Sequence, residues 1–239
     1  MAYSNLPNHR VDIWLLCSDM PVNISTLELS RYEKIRSSRF VHVEDKRRYQ
    51  NVHTKLRLLL AAYLEISPAS VVYRYGQQGK PDIDYAALSQ QTVALQDLKF
   101  SLSHSGSHSL VAVMRAAELG VDVERIRALA NAQQLLAAIS HPRERQIISD
   151  SNPSADDFFN IWVCKEALLK ALGVGLKGDM NSFSIMTGDE PQQVYFSAPY
   201  QDWHAHRFQP QPNLRACVVS NAPCVQLKQY NFERDFKID

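Results

Sequence analysis

Leu119-Gly120-Val121-Asp122-Val123-Glu124-Arg125 alternates apolar with polar side chains. Successive side chains of an extended strand point to opposite faces, so this segment sends Val121 and Val123 to a core and Asp122 and Glu124 to the other side. Residues two apart on a strand are roughly 7 Å apart, close enough for both carboxylates to reach one cation. Hard divalent ions such as Mg²⁺ take oxygen ligands, commonly one or two carboxylates with water and substrate phosphate. The same alternation also describes a half-exposed strand whose polar face is offset by Arg125 or Arg127.

Working outward from this strand, Phe100 to Leu102 and Ser109 to Met114 read as two strands joined by the polar turn Ser103-His104-Ser105-Gly106-Ser107. Further upstream, Val11 to Cys17 reads as a buried strand, and Pro21 with Asn23 to Thr26 turns the chain. Tyr49, Val52, Leu56, Leu59, Leu60 and Tyr63 recur at helical intervals and predict a helix from about Glu44 to Glu65. Val71 to Tyr75 predicts a strand, and Gly76 to Pro81 a loop. Downstream, Pro142 opens a helix with Glu144 in its first turn. A longer helix runs from Asp156 to Leu172 and stops at Gly173. Phe183 to Met186, Gln193 to Phe196, Trp203 to Phe208 and Arg215 to Val219 read as a meander, and the last dozen residues as a surface tail. No Pro- or Ser-rich linker divides the chain, so its halves are expected to pack as one unit.

The 239 residues carry 26 Lys and Arg against 25 Asp and Glu, a net charge of +1. So even a balance gives no general attraction to nucleic acid or to an anionic membrane. Phosphate binding must then come from local clusters of cations. Four cysteines, Cys17, Cys164, Cys217 and Cys224, include no C-x-x-C pair and are too sparse for a disulfide scaffold. A reducing cytoplasm is the expected location. The apolar run Ile13 to Cys17 is short and has no basic leader, so neither export nor a membrane span is expected.

Three motifs carry chemistry. On the long helix, Glu166 and Lys170 are i,i+4 neighbours on the side of Trp162 and Leu169. They are either a surface ion pair or a functional pair at the border of an apolar face. Cys164 falls on the opposite side with Ala167 and Ala171 and reads as a packing residue. Ser103-His104-Ser105-Gly106 offers hydroxyls, an imidazole and turn amides as an anion cradle, or is simply a polar hairpin turn. Gly79-Lys80-Pro81 sets a cation on a constrained loop, without the remainder of a Walker P-loop. Arg36, Arg39, Lys46, Arg47 and Arg48 form the densest basic region, a solvated helix end or a site for a phosphate ester.

Taken in order, Gly79-Lys80-Pro81, Ser103-His104-Ser105-Gly106, Gly120-Val121-Asp122-Val123-Glu124 and Trp162-Val163-Cys164-Lys165-Glu166-Ala167 with Lys170 resemble the Sfp-type 4′-phosphopantetheinyl transferases, in the subgroup with a Trp/Lys-Glu-Ala motif. The likeness extends upstream through Arg36, Phe40 and Arg48 and covers roughly residues 30 to 220.

The resemblance implies a monomeric α+β fold of two similar half-domains related by a pseudo-twofold axis. Their expected bounds are 1–115 and 116–222, with a tail at 223–239. It implies transfer of the phosphopantetheine arm of coenzyme A to a serine of an apo acyl or peptidyl carrier protein, releasing adenosine 3′,5′-bisphosphate. By the same resemblance, Asp122, Glu124 and Glu166 match the acids that bind Mg²⁺, or Mn²⁺. Glu166 also matches the general base, and Lys170 the lysine on the pyrophosphate. Arg36 and Arg48 fall where relatives bind the nucleotide end with its 3′-phosphate, and Gly79, Lys80, Ser103 and His104 line the same ligand. Two positions depart from relatives: His53 stands where an arginine is common, and Ile139-Ser140 where two aromatics are common. The motif chemistry taken without the family also suits a Mg²⁺-dependent phosphodiesterase or a carrier-binding module that has lost catalysis.

Overall fold

The alternating segment forms β6 (Leu119–Arg125), with Val121 and Val123 fully buried and Asp122 on the opposite face. The structure, a computed structural model, describes residues 3–22, 29–88, 97–149, 154–175, 179–187, 192–222 and 226–237; the turn expected at Asn23 to Thr26 and Cys224 lie outside them. One sheet joins β1 (Arg10–Cys17), β4 (Leu98–Ser105), β5 (His108–Arg115) and β11 (Gln226–Asn231) in the order β11-β1-β5-β4. The second runs β6-β10-β9-β8-β7, a meander through β7 (Ile185–Thr187), β8 (Gln193–Phe196), β9 (His204–Phe208) and β10 (Leu214–Ser220). A short pair, β2 (Tyr73–Tyr75) and β3 (Pro81–Ile83), brackets the Gly79 loop.

Strand alternation divides the core into three layers. Trp14, Leu16, Phe100 and Val111 pack against Leu56, Leu59 and Tyr63 of α2 (Val43–Leu64), which follows the shorter α1 (Arg31–Ser38). The other face of that sheet, through Ile13, Leu110 and Ala112, meets Val121, Val123 and Val218 of the second sheet. The far face of the second sheet, through Cys217 and Val219, packs on Val163, Cys164 and Leu168 of α5 (Ala155–Leu172), beside α3 (Ala132–Ile139). The molecule is therefore mixed α+β, with two sheets face to face and a long helix outside each. No helix among the described residues is long and apolar enough to cross a membrane.

Helix boundaries follow the local chemistry. Ser154 and Asp157 form a reciprocal capping box at the start of α5, and Gly173 ends it in the left-handed conformation (φ +72°). α4 (Pro142–Ser149) begins at Pro142, as its sequence predicts. Glu144 does more than favour a helix N-terminus. It receives the N–H groups of His141 and Ile185 and pairs at 2.8 Å with the fully buried Lys165, which also donates to the carbonyls of Ile139, Met180 and Phe183.

Three sequence expectations are corrected. Ser103 to Ser105 are not a turn: they extend β4 in register with Leu110, Ser109 and His108, leaving Gly106-Ser107 to close the hairpin. The last dozen residues are not a surface tail. β11 pairs in parallel with β1, Tyr230 stacks on Trp14 at 4.5 Å between centroids, and Phe232, in the short α6 (Phe232–Asp235), is buried. The strand expected at Phe183 starts two residues later, because Phe183 packs against Phe196 and Tyr200 and gives its carbonyl to Lys165.

Along one margin of this face-to-face packing, the edge strands β4 and β6 meet through side chains. β6 pairs with β10 on one edge; on the other, the amides of Val121, Val123 and Arg125 donate to the hydroxyls of Ser101, Ser103 and Ser105 of β4, at 3.0, 3.3 and 3.0 Å. Hydroxyls take the place of strand carbonyls along this seam. Gly120 lets β6 lie directly on α5, since a Cβ there would stand 2.0 Å from the Ala167 carbonyl oxygen. Removing the Ser101 hydroxyl leaves a buried amide unpaired. Ser101→Ala is expected to lower the unfolding free energy by about 1–3 kcal/mol in urea denaturation, and Ser105→Ala, whose partner amide is exposed, by less.

Candidate functional site

The seam opens into a cleft of about 980 Å³ whose walls include Arg36, Arg48, Gly79, Lys80, His104, Glu166 and Lys170. α5 contributes Glu166 and Lys170 one turn apart, facing β6 over Gly120. Lys170 does not pair with Glu166. Its ammonium instead donates to Asp122 Oδ1 and to the Ser103 hydroxyl, each at 2.7 Å. Ser103 lies behind the cleft wall, with its hydroxyl shared among Lys170, Asp122 and the amide of Val123. Glu124 accepts from the Ser105 hydroxyl at 2.7 Å and lies 3.8 Å from Arg127.

Electrostatics mark the same corner. Burial raises the pKa of Glu166 to about 7, with Asp122 and Glu124 adding to the rise and Lys170 opposing it. Glu124 is also raised, chiefly by burial. Glu166 is 8% and Asp122 3% exposed, and the buried Glu166 Oε1 and Asp122 Oδ2 have no hydrogen-bond partner among the described residues. An uncompensated carboxylate oxygen at such depth is costly. Among the described residues no group of three or more His, Cys, Asp or Glu stands preassembled as a cation cage. The donor set nevertheless suits a hard cation: all its atoms are carboxylate oxygens, and two of them are buried and unpartnered.

The cations are arranged with more variety than the sequence implies. Arg48 is held along one edge of its guanidinium by Asp19, at 2.7 Å through Nε. Arg36 is exposed near the loop apex, where Gly79 takes a positive φ of +79° and a Cβ would come within 4.0 Å of the guanidinium. Lys80 lends the cleft its alkyl stem, while its ammonium turns to the carbonyls of Leu119 and Ala171, at 3.0 and 3.2 Å, tying the loop to β6 and to the end of α5. His104 faces the cleft, and its crowded setting together with the Lys170 ammonium lowers its pKa below the usual histidine value.

Comparison with known proteins places this geometry. The model of the 4′-phosphopantetheinyl transferase superfamily matches residues 118–219, the stretch that holds Asp122, Glu124, Glu166 and Lys170. The 4′-phosphopantetheinyl transferase HetI of Nostoc sp. is 30% identical over 219 residues, 90% of this chain and 89% of HetI. The chain belongs to the 4′-phosphopantetheinyl transferase family. The transferase Sfp of Bacillus subtilis is 24% identical over 203 residues, 84% of each chain. The L-aminoadipate-semialdehyde dehydrogenase-phosphopantetheinyl transferase of Schizosaccharomyces pombe is 30% identical over 182 residues, 65% of this chain and 69% of its own length.

Ser105, which the sequence offers only as part of an anion cradle or polar turn, belongs instead to a ladder of hydroxyls along β4, and its signal is the i,i+2 recurrence of Ser101, Ser103 and Ser105. Glu33 is absent from the sequence reading, and its signal is the capping-box pair Ser30 and Glu33. Its fully buried carboxylate receives Ser30, Arg57 and His53, fixing α1 and Arg36 against α2. The departure at His53 thereby acquires a structural role: it bonds Glu33 at 3.1 Å and stacks on Tyr49. Ile139 and Ser140 likewise serve packing: Ile139 is buried in the core around α5, and the buried Ser140 hydroxyl donates to the Leu136 carbonyl at 2.6 Å.

Burial would raise the Glu33 pKa, but the bonds from His53, Arg57 and Ser30 outweigh it and hold the carboxyl at about 2, against 4.5 when free. A depressed folded pKa gives stability that is complete above the unfolded value and is lost as pH falls through the folded one. Between about pH 4.5 and about pH 2 this group should cost the fold on the order of 3 kcal/mol. Urea midpoints across that range are expected to fall steeply in the native chain and to lose this component in Glu33→Gln.

Proposed function

We propose that this cleft transfers the 4′-phosphopantetheine of coenzyme A to a serine of an apo acyl or peptidyl carrier protein, leaving adenosine 3′,5′-bisphosphate. The observation that carries the reading is that Glu166 and Lys170, from the second half of the chain, share one cleft with Arg36, Arg48 and the Gly79 loop from the first. Guanidinium groups from α1 and α2 together with the buried acids around Lys170 suit a long polyanion whose reacting phosphate lies over the acids.

In this reading Arg36 and Arg48 bind the nucleotide end with its 3′-phosphate. Gly79, the stem of Lys80 and His104 line the same ligand, and Ser103 acts on it from behind, through Lys170. Asp122, Glu124 and Glu166 would hold Mg²⁺, or Mn²⁺, which when bound offsets charge on the pyrophosphate. The carrier serine supplies the nucleophile: its oxygen bonds to the phosphorus next to pantetheine as the bond to the nucleotide phosphate oxygen breaks. Glu166 takes the serine proton, directly or through one water, and Lys170 meets the charge left on the departing phosphate. The unpartnered oxygen of Glu166 supports the first role, and the ammonium of Lys170 at the acid cluster the second.

The reading also takes residues 1–115 and 116–222 as two half-domains related by a pseudo-twofold axis; of the segment 223–239 expected as a tail, β11 and α6 add to the first. The change of sheet between β5 and β6 and the matching helix-sheet layers support that division. A cytoplasmic location with no nucleic acid and no membrane as partner completes the proposal on the grounds of balanced charge and sparse cysteine, and a monomer on the family resemblance.

Mass spectrometry of an apo carrier protein incubated with the chain, coenzyme A and Mg²⁺ should record one added phosphopantetheine. Coenzyme A hydrolysis without carrier modification would identify a phosphodiesterase instead, and no change in either would leave only a binding module. Glu166→Gln is expected to cut transfer by about 10²-fold or more while remaining folded; full activity would remove it from the reaction. In Arg48→Ala, KM for coenzyme A should rise roughly tenfold or more and that for dephospho-coenzyme A far less. Equal losses would contradict a 3′-phosphate contact.

A further inference from the structure

We propose that the serines of β4 orient the acids of β6, and that Ser105 is a positioning residue holding Glu124 for a divalent cation. Three hydroxyls stand at alternate positions on β4 and face three alternate amides of β6. A serine oxygen that accepts an N–H keeps its own proton to donate, so the amide fixes the direction in which the hydroxyl gives. At Ser103 that proton goes to Asp122 Oδ1, and at Ser105 to Glu124 Oε2, both at 2.7 Å. At Ser101 the residue in the equivalent register is Gly120, which has no side chain. The ladder thus contains two rungs with a carboxylate and one without. Where it has one, a backbone amide dictates which carboxylate oxygen is tethered, and the Asp122 oxygen left over is buried and unpartnered. Hydrogen bonds behind a ligating carboxylate commonly carry 10–100-fold in metal affinity. The inference rests on the reading of Glu124 as a cation ligand.

The bare rung at Ser101 supplies a control within the same chain. Mn²⁺ is titrated into the full-length protein, with and without coenzyme A, and binding is followed by the paramagnetic resonance of the free ion, alongside thermal unfolding. Ser105→Ala should weaken Mn²⁺ about tenfold or more while staying folded, since the Arg125 amide it releases is exposed to water. Ser105→Thr, which keeps the hydroxyl on a half-buried strand position, should restore affinity. Ser101→Ala should lose stability and keep its Mn²⁺ affinity.

Native affinity in Ser105→Ala, with affinity lost in Glu124→Gln, would overturn the positioning role and leave the cation reading intact. Equal weakening in Ser101→Ala and Ser105→Ala would assign the effect to the seam as a whole and also overturn it. Native affinity in both Glu124→Gln and Ser105→Ala, or no Mn²⁺ binding by the unaltered chain, would overturn the cation reading and the inference together.

Discussion

A strand at the edge of a sheet must satisfy its outward amides, and β6 does so with serine hydroxyls. The rest of the molecule is arranged around that constraint. A serine side chain leaves its strand out of the sheet plane, where a backbone carbonyl lies within it, so the two sheets are bonded along this line without fusing into one. The cleft opens beside this seam, between α1, α2 and the Gly79 loop on one side and α5 on the other. Gly120 lets α5 lie on the outer side of β6, away from the first sheet, and Lys80 fastens the loop of the first half to the start of β6 and the end of α5. Glu166 and Lys170 then stand over the acids because the helix that carries them cannot move away from the strand.

The near-zero net charge conceals a strong separation of charge within this frame. Acids whose pKa values burial raises gather around Lys170 and Asp122, while guanidinium groups enter the cleft from α1 and α2. Each guanidinium is positioned by an acid outside the acid corner. Asp19 holds Arg48 by one edge, and Glu33 anchors the helix that bears Arg36. Desolvation raises the energy of the acid corner, and the hydrogen bonds of the seam keep it from relaxing outward.

Much of this was legible in the sequence because it follows from periodicity and punctuation. The alternation of 119–125, the spacing along α2 and the stop at Gly173 each gave the correct element within one or two residues. The acids and Lys170 were legible from their types and spacing. What misled was polarity. Ser103 to Ser105 read as a turn because hydroxyl-rich segments usually seek water, and a partner strand whose amides need those hydroxyls leaves no mark nearby. β11 read as a tail for the same reason: it is largely polar, and the residues that anchor it act over a long sequence distance, Tyr230 by stacking on Trp14 of β1 and Phe232, just beyond it, by burial in the first core. Lys165 stood in a recognised motif, yet its four acceptors come from four separated positions and only the folded chain brings them together.

The pairing of β11 with β1 also bears on how the molecule is made. Residues 10–17 leave the ribosome early, but the strand that covers their open edge is delivered only after both halves of the cleft have been synthesised. Until then the first sheet exposes an unpaired strand, a template for pairing with any other chain nearby. The half that is translated first is therefore the last to be closed, and β1 waits for residues 226–231 to seal it.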